Sequence, residues 1–233
     1  MSDGTRSRRN ISAVRIYALR DRARAGRARL NAWLGRQWIA RRFAMSTVET
    51  KTGRSTWTID ASHTLVEFAV KHMMIATVKG RFGDVTGTIV LDEGAIENSS
   101  VEAEIDVASI DTRNADRDAH LRSADFFDVE NHPKMTFKSR RVEPQGAGRF
   151  RVVGDLTIRG TTREVVLDVE DQGRGKDPWG GERAAFSATT EIDRTDFGLT
   201  WNAALETGGV LVSDRVRISL EVEAVKAQDQ AAS

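Results

Sequence analysis

The side chains of this 233-residue chain that could do chemistry concentrate between positions 60 and 132. The densest group is Asp111-Thr112-Arg113-Asn114, followed by Arg117-Asp118-Ala119-His120. On a helix Arg113 and Arg117 lie one turn apart. Their two guanidinium forks could grip a pyrophosphate or a quinone head group, with Asp118 and His120 orienting them. The same residues can equally form an Arg–Asp network that only pins the helix, because Asp116 and Asp118 stand beside both arginines.

All four histidines (His63, His72, His120, His132) fall in this stretch, which raises a metal. Their spacing speaks against one. No His-x-His or His-x-x-x-His pair occurs, and His63 and His72 would face opposite sides of one unbroken strand. His63, after Ser62 at a strand start, is expected to make a backbone-capping hydrogen bond. Ser62, Ser109 and Ser123 lack the strand–turn–helix elbow of a nucleophilic serine. Gly173-Arg174-Gly175 precedes no helical pattern, so it is not a phosphate cradle. The acids Glu102, Glu104 and Asp106 share one strand face and are expected to meet water. No metal and no cofactor is expected.

The elements that must position these groups are strands. Residues 55–226 alternate apolar and polar types through eight runs, among them Phe68/Val70, Val101–Val107, Phe150–Ile158 and Val216–Ala224. Successive strand side chains point to opposite faces, so each run has one apolar and one wet side. Eight such runs without crossover helices indicate an antiparallel sheet closed as a barrel or folded as a sandwich. At eight strands a barrel interior can be filled or left hollow for one small ligand. Asp111–Asp128 is the one helical interruption, capped by Asn114 or Asp116, with Ala119, Leu121, Ala124 and Phe127 as its apolar stripe. Met73–Lys79 reads as a short irregular or helical link, and Gln172–Gly181 as a longer mobile loop.

With 30 % charged and 39 % apolar residues the composition is that of a globular chain. Cysteine is absent, which excludes disulfides, thiolate metal sites and cysteine nucleophiles. The net charge of +1 hides a split. Residues 1–44 carry twelve arginines, no lysine and two acids, giving +10, so the remainder carries −9. Residues 1–44 are therefore an Arg-rich extension: either a basic helix for anionic surfaces, or upstream sequence ahead of a true start at Met45. Residues 45–54 form a linker, 55–227 the barrel domain and 228–233 a C-terminal tail. Arginines break every candidate apolar core of a secretion signal, which places the protein in the cytoplasm.

Four segments together resemble the YceI family of lipocalin-like polyisoprenoid-binding proteins. They are Trp57-Thr58-Ile59-Asp60-Ala61-Ser62-His63-Thr64 with the Gly80-Arg81-Phe82 turn, Ser109–Asn114 with Arg117–Leu121 and Asp125–Asp128, Gly154–Gly160, and Arg194–Leu199. The resemblance spans roughly 170 residues and leaves residues 1–44 without a counterpart. It implies an all-β fold: an eight-stranded antiparallel lipocalin-like barrel with one short helix and a long apolar tunnel for a polyprenyl lipid or quinone. It also suggests a homodimer, and the periplasm as an alternative location, because many relatives carry a secretion signal.

A hydrocarbon tail asks only for apolar walls. The wall candidates are Val66, Phe68, Val70, Ile89, Phe137, Leu156 and Phe186, joined by Met73, Met74, Phe126, Phe197 and Trp201 from loops. The head-group candidates are Arg113, Arg117, Asp118 and His120. Helix 114–127 and the 195–209 loop are expected to close or gate the barrel ends. Non-catalytic binding, storage or transport of the isoprenoid is the leading reading. No nucleic acid is expected as a partner, and contact with a membrane would be transient. The alternative is an enzyme that holds a lipophilic substrate in the barrel and works on it with Asp118 and His120.

Overall fold

The computed structural model describes residues 53–206 and 208–228. The basic extension 1–44 and nearly all of the linker and tail lie outside those residues. The described chain forms eleven strands: β1 (Arg54–Ile59), β2 (Leu65–His72), β3 (Ala76–Phe82), β4 (Val85–Asp92), β5 (Ser100–Asp106), β6 (Ile110–Asp111), β7 (Lys134–Gly146), β8 (Arg149–Ile158), β9 (Thr161–Lys176), β10 (Glu182–Asp193) and β11 (Val212–Lys226). One α-helix, α1 (Ala115–Arg122), interrupts them.

The eleven strands make eight staves. β1 pairs with β4 while β2 pairs with β3; β4 then pairs with β5, and β3 with β6. Thus β1–β2, β3–β4 and β5–β6 are each one long ribbon bent in the middle. Every neighbouring pair is antiparallel, and the first stave closes on β11 through both its halves. The eight alternating runs of the sequence are these eight staves. Closure on β11 covers most of the sheet edge, the usual liability of an antiparallel sheet, and leaves β6 and the part of β3 before Arg81 without a second strand partner among the described residues.

Two bends are made by one device. The Asp60 carboxylate accepts from the Ser62 backbone N–H (3.0 Å), turning Ala61–His63 into one 3₁₀ turn. Asp106 accepts from Ala108 N–H (2.9 Å) and does the same for Val107–Ser109. Each aspartate competes with the ladder for its own backbone, which breaks the strand where the sequence looked continuous.

Several sequence expectations are corrected. The link at Met73–Lys79 is a tight turn at Met73 and Met74, both with positive φ (50° and 61°), and strand β3 begins at Ala76. The helix expected over 114–127 stops at Arg122; Asn114 caps its start by accepting from Arg117 N–H (2.9 Å), and Ser123 Oγ donates to His120 O at its end. Its inward side carries buried Asp118 and half-buried Leu121, whereas Ala119 and Ala124 face solvent. The first half of the Gln172–Gly181 loop is strand. β9 runs to Lys176, and Asp177 organises the turn by accepting from Trp179 and Gly181 N–H groups and from Arg183 Nε.

The barrel has a helix end and a hairpin end. The up-and-down path gathers α1, the Met73–Ile75 turn, the β8–β9 turn and residues 194–211 at the helix end. The β7–β8 and β9–β10 turns lie at the other. Helix and 195–209 loop therefore sit at one end together, not one at each. Arg159 ties them, donating from Nη1 to Gly198 O (3.0 Å) and from Nη2 to Ala124 O (2.8 Å).

Candidate functional site: a hollow apolar barrel

Inward-facing residues of all eight staves line one cavity. Even with a water molecule's radius kept clear of every wall atom, about 300 Å³ remains open. The wall is almost wholly hydrocarbon. It is built from Val66, Phe68, Val70, Ile89, Phe137, Leu156, Phe186, Ile218, Leu220 and Val222, among others. In a filled core these inward side chains would be covered on every side. Here Phe68, Val70, Phe137, Leu156, Phe186, Ile218, Leu220 and Val222 are only half-buried. Their exposed faces look into the barrel, so the interior is a lined space and not a packed one.

Glycines keep that space open. A Cβ on Gly80 would lie 2.3 Å from the Phe68 ring, and one on Gly154 would lie 2.6 Å from the Phe137 ring. The bare backbone lets each ring lie flat along the wall.

Nine of the twelve wall candidates line this cavity: Val66, Phe68, Val70, Ile89, Phe126, Phe137, Leu156, Phe186 and Phe197. Three do not. Met73 and Met74 sit on the exposed turn at the helix end, Met74 the more exposed of the two. Trp201 packs edge-on against His120 (4.7 Å between ring centroids) and lies 5.2 Å from Phe126, itself 5.1 Å from His120. These three rings form a plug over the helix end of the cavity. Buried Arg194 holds the plug's loop in place. It donates to the backbone carbonyls of Ser213, Trp201 and Leu199 and to Asp214 Oδ1. Phe82, Leu121, Phe127 and Met135 also line the cavity and escaped the sequence reading, as did Arg174 at the hairpin end. The Arg174 guanidinium lies 5.0 Å from the Phe186 ring and 5.7 Å from the Trp57 ring, and it pairs with Asp171 (2.7 Å). Its pattern, glycine on both sides, reads as loop, which hid it.

The head-group candidates do not converge on a common point. Asp118 is buried and accepts from Thr112 N (2.9 Å) and Thr112 Oγ1 (2.5 Å). Arg117 donates to Thr112 Oγ1 (2.7 Å) and Thr112 O (2.8 Å). Thr112 thus joins the two, and the group pins α1 to β6. His120 turns the other way, with Nε2 3.1 Å from Asp125 Oδ2. Arg113 is exposed, with φ of 62°. The cluster is the pinning network, and Asp118 and His120 form no acid–base pair.

A second polar group lies where the barrel closes. Asp60, Ser62, His63, Arg183 and Glu223 come together from β10, β11 and the first bend. His63 Nδ1 is 2.9 Å from Asp60 Oδ2 and 3.9 Å from Glu223 Oε1. Arg183 donates to Asp60 (2.9 Å), Asp177 (3.1 Å) and Glu223. Bonds from Ser62, His63 and Arg183, in that order, hold the Asp60 carboxyl far below the ordinary carboxylate range. Asp60, His63 and Glu223 have the residue types of a cation site, yet the Arg183 guanidinium already supplies the positive charge between the two carboxylates. Nor is this a nucleophile triad. Ser62 and Asp60 both address His63 Nδ1, whereas proton relay needs one on each ring nitrogen. The group is a clasp across the seam. The His63 imidazole bonds side chains and not the backbone, and His63 lies in the bend before β2, so it shares no unbroken strand with His72.

Residues 57–224 match the YceI-like domain model. The chain belongs to the YceI family. A UPF0312 protein of Vibrio cholerae is 39 % identical over 165 residues, covering 71 % of this chain and 83 % of the relative. A UPF0312 protein of Staphylococcus epidermidis is also 39 % identical, over 70 % of this chain and 94 % of its own. Among solved structures, BcnA of Burkholderia cenocepacia superposes with a TM-score of 0.63 at 25 % identity, covering 71 % of this chain and 98 % of that one. A YceI protein of Campylobacter jejuni gives 0.59 at 34 % identity, over 68 % and 90 %. A polyisoprenoid-binding domain of Saccharophagus degradans shares the fold, with a TM-score of 0.53 at 16 % identity over 73 % and 98 %. As a YceI barrel, the chain has the fold of a binding protein.

Proposed function

We propose that the barrel holds one long isoprenoid chain, a polyprenyl lipid or quinone, and serves as its carrier or reservoir without transforming it. The observation that carries this reading is the hollow hydrocarbon wall. Inward side chains stay uncovered along the barrel, and polar groups enter the lining only at a few positions, mainly near its ends. The S. degradans domain, whose fold is the same, is named for polyisoprenoid binding. The absence of an assembled acid–base pair at Asp118 and His120 favours holding over chemistry.

Magnitudes favour a carrier over a sink. Burying forty carbons at ~0.8 kcal/mol each would be worth ~30 kcal/mol relative to water, beyond the ~18–21 kcal/mol ceiling of non-covalent affinity. The lipid's alternative home is a bilayer, which is as apolar as the tunnel, so net preference is small and exchange is reversible.

Phe68→Trp and Val70→Trp test the reading by filling the lumen from one stave. Each should lower the content of co-purified or added isoprenoid, measured by native mass spectrometry, with an unchanged circular dichroism spectrum. Full ligand content in both folded variants would refute tunnel binding.

A further inference from the structure

A ligand exchanged with a bilayer must leave the barrel at a particular place, and one end is built differently from the other. At the helix end the β2–β3 turn projects Met73, Met74 and Ile75, with Ile75 81 % exposed and Met74 63 %. Val210 lies beside them: Met73 N–H donates to Leu211 O (2.8 Å), which fixes the turn against that strand. Single exposed apolar residues are ordinary on a protein surface, but four together at a strand tip are not. The backbone adopts left-handed conformations at two successive methionines to present them, a strained arrangement for non-glycine residues.

The wall beside this tip is loosened. β11 pairs Val212 with His72 and then Val216 with Val70, so four residues of β11 span two of β2. Val70, Val212 and Val216 all line the cavity. The irregular ladder therefore lies between the apolar tip and the lumen.

Charge supplies the remaining argument. Lys79 and Arg217 flank Ala69 in one cross-strand row on the outer face, and Lys71 stands one step nearer the tip. All three cations are exposed; Glu191 stands opposite Arg217 in the β10–β11 ladder but bonds Arg215, and none of the three forms an ion pair among the described residues. Apolar residues at the tip with cations behind them are the pattern of a surface that rests on anionic lipid, with side chains in the acyl boundary and cations at head-group level. Trp179, at the hairpin end, is 86 % exposed but stands alone on the Asp177–Gly181 turn.

We propose that the Met73–Ile75 turn docks on an anionic bilayer, and that the isoprenoid passes between bilayer and barrel beside it, through the β2–β11 irregularity. The passage rests on the isoprenoid reading; the docking does not.

The full chain is the material for the test. Residues 1–44 carry +10 of charge, so total vesicle binding would not report the tip, and a position-specific probe is required. The chain contains no cysteine, so Ile75→Cys and Trp179→Cys each give one site for an environment-sensitive dye. With vesicles containing phosphatidylglycerol, the dye at 75 should brighten and shift to the blue, and the dye at 179 should not change. Adding Lys71→Ser and Lys79→Ser should raise the lipid concentration for half response about 30-fold, the equivalent of about 1 kcal/mol per cation. A silent dye at 75, or equal responses at 75 and 179, would overturn the docking. So would a response at 75 that appears with rising protein concentration and no lipid, since the occupant would then be a second copy. If docking holds but the ligand extract is empty, the isoprenoid reading fails alone.

Discussion

Ala103→Leu should stabilise the ligand-free barrel, the opposite of what the same change does in a packed core. Ala103 lies on β5, lines the cavity and is half-buried, with Phe137 as its β7 neighbour and Gly87 as its β4 neighbour. Leucine adds three carbons that enter open hydrocarbon space without displacing a neighbour. At ~0.8 kcal/mol per buried carbon the upper bound is ~2.4 kcal/mol, and the compactness of real unfolded chains brings it to roughly 1–2 kcal/mol. For a domain of this size that raises Tm by about 2–8 °C. Overpacking a filled interior instead costs about 1–3 kcal/mol and lowers Tm. The assay is thermal and urea unfolding of protein stripped of ligand on hydrophobic resin, beside the wild type. A lower Tm with an unchanged urea slope would show that the interior is filled and refute the reasoning. The same variant should take up less isoprenoid, because it occupies the ligand's space.

Three further perturbations probe other parts of the account. Asp118→Ala should cost about 1–3 kcal/mol in urea unfolding, because it leaves the Thr112 amide and hydroxyl without their buried acceptor; ligand content should not change, and parallel loss of ligand would return this cluster to the binding site. Trp201→Ala removes two ring contacts from the plug, each worth about 1 kcal/mol, so ligand release measured by transfer to acceptor vesicles should quicken about 30-fold. An unchanged rate would mean that the plug does not gate exchange. Asp60 titrates far below its ordinary value of 3.8 in the folded state, so its stabilisation is complete above that value and is lost as pH falls through the folded pKa. Asp60→Asn should therefore be less stable at neutral pH and lose less stability on acidification than the wild type; parallel pH profiles would contradict the clasp.

The barrel was legible because period-two alternation survives in every stave, even the bent ones. The bends were not, since a carboxylate turning onto its own backbone at Asp60 or Asp106 leaves the alternation almost intact. Most of the wall could be read from inward parity and the aromatic residues of the β runs. Met73, Met74 and Trp201 could not, because a loop has no parity to say which way a side chain points. The clasp was missed for a different reason. Arg183 meets Asp60 across 123 positions, and only barrel closure brings β1 back to β10 and β11. A signal was present all the same: Asp60 and His63 form an Asp-x-x-His pair at the end of the first strand run, and Glu223 stands in the last run, which must pair with the first if the barrel closes. The Arg113–Arg117 spacing fits a head-group clamp as well as a structural pin. Only the buried Thr112–Asp118 bond decides between them.

Isoprenoid binding is tested most directly by purifying the full chain without detergent, extracting it with organic solvent and running mass spectrometry on the extract. One isoprenoid lipid or quinone should appear at close to one molecule per barrel. A folded protein that yields an empty extract, and takes up no polyprenyl lipid or quinone when these are supplied, would contradict isoprenoid binding.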